Sequence, residues 1–307
     1  MLSVTNLSIE FTRYGSGWQR RTLHPVRDMS LNIRGGEIVA VVGSSGSGKS
    51  LLAHAVLGLL PKNARATGDV LFKGDPVTPR TVARLRGRQI ALIPQSVAYL
   101  NPLCRVGRQV YRASRLSGQC CRDAVRSTDS AFDRYRLAVG VKSMYPFQVS
   151  GGMARRVLTA TATAGEADLL IADEPTTGLD PAVARQSLTH LRELADAGKG
   201  IMLITHDIDA AVGIADRVAV IYAGTTVELA PARAFNGGGR LLHPYTRALW
   251  NALPQQNFQY VGGNQPMEDL MVEGCIYGDR CAARTEDCNR PQPLRAVGGG
   301  HVRCCHA

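Results

Sequence analysis

Eight consecutive residues, Gly43-Ser44-Ser45-Gly46-Ser47-Gly48-Lys49-Ser50, carry the spacing G-x-x-x-x-G-K-S/T of a phosphate-binding loop. Glycines let successive backbone N–H groups turn inward around a phosphate, and a helix starting at the loop's end adds about half a positive charge. Lys49 is placed to reach the β- and γ-phosphates of a nucleoside triphosphate, and the Ser50 hydroxyl to ligate Mg²⁺. The flanks agree: residues 37–42 form an apolar run of buried-strand type, and 51–60 have the composition of a helix. A Gly/Ser-rich turn ending in Lys-Ser would account for the loop, but not for strand and helix on either side. The expected ligand is a nucleoside triphosphate.

Hydrolysis asks for a further carboxylate on Mg²⁺ and a group that activates water. Residues 169–174, Leu-Leu-Ile-Ala-Asp-Glu, supply both at the tip of an apolar run. Asp173 is the candidate Mg²⁺ ligand, directly or through water, and Glu174 the candidate general base. Two acids capping the next turn is the plainer alternative. Three more fragments follow a consistent order. Ser150-Gly151-Gly152-Met153 opens a helical stretch whose N–H groups and serine hydroxyl suit phosphate. Thr177-Gly178-Leu179-Asp180 follows the acids, and Thr205-His206-Asp207 ends the next apolar run, where His206 can hydrogen-bond a γ-phosphate. Each is weak alone; together and in this order they are strong.

The elements that must position these residues are legible as periodicities. Residues 2–11 and 29–33 alternate as half-buried strands, with 12–25 read as a polar connection within an antiparallel sheet and Gly35-Gly36 as a turn. Apolar runs at 168–173, 200–205 and 217–222 are separated by helical stretches, including 181–197, which opens at Pro181 behind Asp180. Such alternation predicts an α/β fold with a parallel sheet covered on both faces. Between 96 and 164 the pattern is amphipathic and helical, and Arg105, Arg108, Arg112 and Arg115 recur at helical spacing. A solvated helix face is the plain reading of that row; contact with an acidic partner or lipid headgroups is the functional one. Residues 223–229 read as a closing hairpin, and Gly237-Gly238-Gly239 marks a boundary to a tail rich in Gly, Pro, Asn and Gln.

The chain has 307 residues, enough for one large domain and an extension. Its net charge of +11, from 36 Lys+Arg against 25 Asp+Glu, suits a phosphate ligand, an anionic lipid surface or nucleic acid without choosing among them. No run of 18 apolar residues occurs and the first residues lack a secretory pattern, so a cytoplasmic protein is expected. Five of the eight cysteines lie after residue 274, and in a cytoplasmic chain that clustering indicates a metal site rather than disulfides.

Taken together, residues 1–230 resemble the ATP-binding cassette (ABC) ATPases, with 231–307 as a C-terminal extension. The resemblance implies a phosphate-loop core sheet, an antiparallel β subdomain and a helical subdomain at about 96–164. It places Gln95 as the Q-loop glutamine on Mg²⁺ and the attacking water, Ser150-Gly151-Gly152 as the signature, Asp180 in the D-loop and His206 as the switch histidine. The usual signature reads Leu-Ser-Gly-Gly-Gln; Val149 and Met153 replace its outer residues here. An aromatic side chain stacking on adenine is expected upstream, with Tyr14 chosen and Trp18 the alternate. Two cassettes of the family sandwich two ATP molecules, each site joining one subunit's phosphate loop to the other's signature.

Leu242-His243-Pro244-Tyr245-Thr246, Ala98-Tyr99-Leu100-Asn101-Pro102 and Tyr145-Pro146-Phe147 resemble stretches of the importers of oligopeptide, dipeptide and nickel type. The plain reading of the first is an ordinary helix start with Pro in its first turn. Cys275, Cys281, Cys288 and Cys304 are similar to the cysteine region of the peptide-importer ATPases, where four thiolates can hold a 4Fe–4S cluster. Zinc with His301 or His306 as a substitute ligand, or buried thiols without metal, are the alternatives; Cys304 is preferred to Cys305 on the family pattern. The implied partners are a second, different ATPase chain, two membrane permease subunits and, indirectly, an extracytoplasmic solute-binding protein, with the chain peripheral on the cytoplasmic face of the inner membrane. A nickel or metallophore importer, an exporter ATPase, and a soluble ABC protein acting on nucleic acid or ribosomes are the competing functions.

Overall fold

Alternating apolar residues build the first sheet. In the computed structural model, which describes residues 1–14, 20–270 and 272–307, β1 (Leu2–Tyr14) and β2 (Arg20–Ile33) pair antiparallel. Leu2, Val4, Leu7 and Ile9 are buried on one face of β1. Both strands run into the segment expected to be a connection: Thr12 lies opposite Thr22 and Arg13 opposite Arg21. Ladder hydrogen bonds satisfy this backbone, so polar, exposed side chains extend the hairpin without needing a core beneath them.

β3 (Ile38–Val42) is buried at every residue and leads through the phosphate loop into α1 (Lys49–Val56). The helix ends four residues before its apolar composition does. Gly58 adopts φ 60°, and the N–H groups of Gly58 and Leu59 return to Ala55 and His54, the glycine-terminated helix stop. β4 (Ala64–Phe72) pairs with β1, and β5 (Asp75–Pro76) completes a four-stranded sheet in the order β2-β1-β4-β5.

The chain divides into two compact units. Gly35–Glu37 and Thr78–Leu203 form one, holding α2 (Val82–Leu85), β6 (Ile90–Ile93), α3 (Val106–Leu116), α4 (Cys121–Arg134) and α5 (Gly151–Thr163). Val106 and Val110 of α3, Phe132 of α4 and Val157 and Leu158 of α5 share one apolar cluster. Arg105, Arg108, Arg112 and Arg115 are all exposed on the opposite side. β7 (Leu169–Asp173) runs parallel to β6, followed by α6 (Pro181–Asp196) and β8 (Gly200–Ile204), giving the order β8-β7-β6.

The other unit comprises Met1–Arg34, Ile38–Val77 and Ile204–Ala307. After α7 (Ile208–Val212), β9 (Arg217–Tyr222) pairs parallel with β3, and β10 (Thr225–Pro231) returns antiparallel on β9. α8 (Pro244–Asn251) follows. The tail then forms a hairpin of β11 (Arg295–Val297) and β12 (Gly300–Val302), and β12 pairs with β10, extending this unit's order to β11-β12-β10-β9-β3. No helix among the described residues is long and apolar enough to cross a membrane.

Candidate functional site

The phosphate loop is tied into shape by its own lysine. Lys49 is buried, and its ammonium donates to Gly43 O (2.9 Å), Ser44 O (2.9 Å) and Ser47 Oγ (3.4 Å). A Cβ on Gly43 would lie 2.2 Å from Ile221 O on β9, and one on Gly48, at φ 88°, would lie 2.8 Å from Pro25 O. Only glycine fits at either place. Gly48 caps α1 without a side-chain hydrogen bond, and the first turn contains no acid. The N–H groups and partial positive charge at this helix start are therefore not neutralised by the helix's own side chains, which is the condition for holding an anion.

At the tip of β7, Asp173 and Glu174 are both buried. Glu174 stands at φ 50°, a left-handed conformation that a non-glycine residue keeps only when its surroundings enforce it. Here Arg155 of α5 donates to Glu174 O (3.1 Å), and the Thr177 hydroxyl donates to Glu174 Oε2 (3.1 Å). α5 is the helix that opens at the serine–glycine stretch, so that helix and the acid pair are joined through Arg155, a residue the sequence did not single out.

Ser150 caps α5, its Oγ accepting the Met153 N–H at 3.3 Å, and a Cβ on Gly151 or Gly152 would meet nothing within 4 Å. Val149 and Met153 pack against the helical cluster. The two departures from the usual signature thus face the unit's own core, while serine and glycine face open space. Gln95 is exposed just beyond β6, and Asp180 caps α6 by accepting the N–H groups of Ala182 (3.1 Å) and Val183 (3.0 Å). Gln95, Ser150, Gly151, Gly152, Asp173, Glu174 and Asp180 belong to one compact unit; the phosphate loop and the exposed His206, just after β8, belong to the other. Tyr14 ends β1, but its side chain, like the whole of Trp18, lies outside the described residues.

In the tail, Cys288 Sγ lies 3.5 Å from Cys305 Sγ and 3.7 Å from His306 Nε2, and the three ligand atoms fall within 4.8 Å of one another. Burial pushes the Cys288 thiol up, but hydrogen bonds from Thr285, Cys305 and His306 outweigh it and the net direction is down. Cys305 moves up, through burial and its bond to Cys288. Cys275 and Cys281 are raised, by burial first and then by the charges of Cys288 and Cys304. The tightest group nevertheless contains Cys305 and His306, where the sequence preferred Cys304.

Comparison with solved structures gives the class. The dimeric MJ0796 ABC transporter cassette superposes with a TM-score of 0.67 at 23% identity, over 76% of this chain and 99% of that one. The fold is that of an ABC ATPase cassette. The sequence matches the family "ABC transporter" over residues 26–177 and "Oligopeptide/dipeptide transporter, C-terminal region" over 227–288. It is 38% identical to the oligopeptide transport ATP-binding protein OppD of Salmonella typhimurium, covering 91% of this chain and 87% of the relative. A putative peptide import ATP-binding protein of Brucella abortus is 35% identical, covering 99% and 94%. The chain belongs to the ABC transporter ATP-binding proteins, in the group that carries the oligopeptide/dipeptide C-terminal region.

Proposed function

We propose that this chain binds and hydrolyses ATP as the motor subunit of an importer for peptides or a related small solute. The observation that carries the reading is the phosphate loop, with Lys49 buried on its oxygens and α1 starting without a side-chain cap, in a chain whose tail matches the oligopeptide/dipeptide region. Residues 1–230 act as the cassette, with the helical part at about 96–164, and 231–307 as its extension.

Each residue then has a task. Backbone N–H groups from Gly43 to Ser50 cradle phosphate, and Lys49 neutralises charge on the β- and γ-oxygens. Mg²⁺, bound with the nucleotide, supplies further charge neutralisation there; Ser50, Asp173 and Gln95 are the residues that would hold it. Glu174 takes the proton of the attacking water, and its bond from Thr177 fixes the carboxylate's orientation. His206 donates to the γ-phosphate. Ser150, Gly151 and Gly152 serve the nucleotide of a second cassette, Asp180 belongs to the contact with it, and Tyr14 stacks on adenine. Donors that arrive only when two cassettes close make hydrolysis depend on assembly.

The second cassette is a different chain, and two permease subunits dock on the region from Gln95 onward. Exposed Tyr99, Leu103, Val139 and Phe147 support this, since apolar side chains left in water on one unit suit a protein contact. The chain is thus peripheral on the cytoplasmic face of the inner membrane, serving an extracytoplasmic solute-binding protein only indirectly. The tail holds a metal centre that staples it: a 4Fe–4S cluster on Cys275, Cys281, Cys288 and Cys304, or zinc on the group around Cys288, Cys305 and His306.

Affinity purification from gently solubilised membranes tests the assignment. Two permease subunits and a second cassette at stoichiometric ratio are expected, with peptide-stimulated ATPase after reconstitution. Recovery in the soluble fraction with RNA or ribosomes would overturn it.

A further inference from the structure

His243-Pro244-Tyr245-Thr246 opens α8, and the start of that helix is built to aim one side chain. His243 is buried, and burial, then the charge of Arg247, pulls its pKa down to about 3. As a neutral ring its Nδ1 accepts the Tyr245 N–H at 3.1 Å and caps the helix. Pro244 takes the first helical position, where its missing N–H costs nothing. Buried Glu228 on β10 fixes the entry by accepting the N–H groups of Leu242 (2.8 Å) and His243 (2.9 Å).

Tyr245 therefore leaves the helix in a set direction. Its ring packs against Tyr222 (4.5 Å between centroids) and Tyr277 (5.4 Å), and its hydroxyl lies 3.4 Å from Ser44 Oγ. A second residue of the tail reaches the same place. The Gln265 amide donates to Ser44 Oγ, while its Oε1 accepts the Ala223 N–H (3.3 Å) at the turn between β9 and β10. Ser44 is the second residue of the phosphate loop, and its carbonyl already accepts from Lys49. All of these residues lie in one compact unit.

We propose that Tyr245 and Gln265 are positioning residues for ATP: they clamp Ser44 from the tail and hold the phosphate loop in its binding shape. The proposal rests on the reading that this loop takes the phosphates. A Gly/Ser-rich loop has much conformational freedom to lose on binding, and two fixed hydrogen bonds at its second residue remove part of that loss beforehand. The tail thereby contributes to nucleotide affinity without touching the nucleotide.

Binding of a fluorescent ATP analogue to the full chain, with Mg²⁺, tests this with four single substitutions and one double variant. Tyr245→Phe keeps the ring and loses only the hydroxyl; its Kd should rise about three- to tenfold, as should that of Gln265→Leu, while melting temperatures stay near that of the unmodified chain. In a Ser44→Ala background, Tyr245→Phe should add little, because the hydroxyl it addressed is gone; a packing role would persist unchanged. Lys49→Ala separates the two readings. If it loses ATP while Tyr245→Phe and Gln265→Leu shift Kd by less than about twofold, the clamp is wrong and the loop right. If Lys49→Ala binds ATP normally, the loop assignment falls and the clamp falls with it.

Discussion

Burying a lysine ammonium is expensive unless oxygens surround it, and the loop carbonyls of Gly43 and Ser44 provide them around Lys49. On the proposed function, the same charge serves the phosphates when ATP binds. Lys49→Ala should weaken ATP binding by at least about tenfold, the loss of a charge-assisted hydrogen bond, as equilibrium dialysis would show. Glu174 is the complementary case. Its left-handed backbone is held by Arg155 and Thr177, contacts that glutamine can keep, so Glu174→Gln should bind ATP normally and lose about 10²–10⁴-fold in turnover of the assembled transporter. Near-normal turnover would remove Glu174 as the base. Neither the strained φ nor the Arg155 contact is visible in the sequence, because both depend on α5 lying beside the end of β7; the acid pair itself was legible from its place after an apolar run.

Elements explain why some residues depart from pattern without harm. Met153 packs on the cluster of α3, α4 and α5, and its contact with Ser150 is made by its backbone N–H. Phe132 at the centre of the cluster is almost fully buried, and Phe132→Ala should destabilise the chain by about 3–5 kcal/mol in denaturant unfolding. The start of α8 adds a pH dependence. His243 has a folded pKa of about 3, below the ordinary value near 6.5, so between those limits the unfolded chain binds the extra proton. Stability is then full above about pH 6.5 and falls with acid, by up to about 1.4 kcal/mol per pH unit. Glu228 is raised by burial, takes its proton first in the fold, and offsets part of this loss nearer the carboxylate range. Melting temperatures from about pH 7 down to about pH 5 should fall, and His243→Asn, which keeps a cap acceptor but does not titrate, should flatten the profile.

Across the whole molecule, the tail is bound to the cassette through β12, which extends the sheet at β10, and through α8 and Gln265, which reach the phosphate loop. Cys304 and Cys305 follow β12, Cys305 lies beside Cys288, and the two proposed ligand sets share Cys288. Metal analysis of anaerobically purified variants distinguishes them. Cys288→Ser should lose metal in either case; Cys281→Ser should abolish iron and inorganic sulfide if the four-cysteine cluster forms, whereas Cys305→Ser should abolish zinc if the tighter group is the site. An unmodified chain carrying neither metal would end both.

Local chemistry fixed in the sequence was enough for the phosphate loop, the acid pair, the serine–glycine helix start and the alternation of strands and helices. Those features depend on residue types at fixed short spacing, and their resemblance to ABC ATPases follows from them. The tertiary structure decided what depends on distant segments meeting. It extended β1 and β2 through a polar stretch, because pairing rather than burial satisfies that backbone. It turned Val149 and Met153 toward a core and brought Arg155 to Glu174. It also drew Cys305 and His306 to Cys288 and set Tyr245 and Gln265 on Ser44, some 200 residues apart in sequence. Periodicity reports which face of an element is apolar; it carries no information on which remote side chain that face will meet.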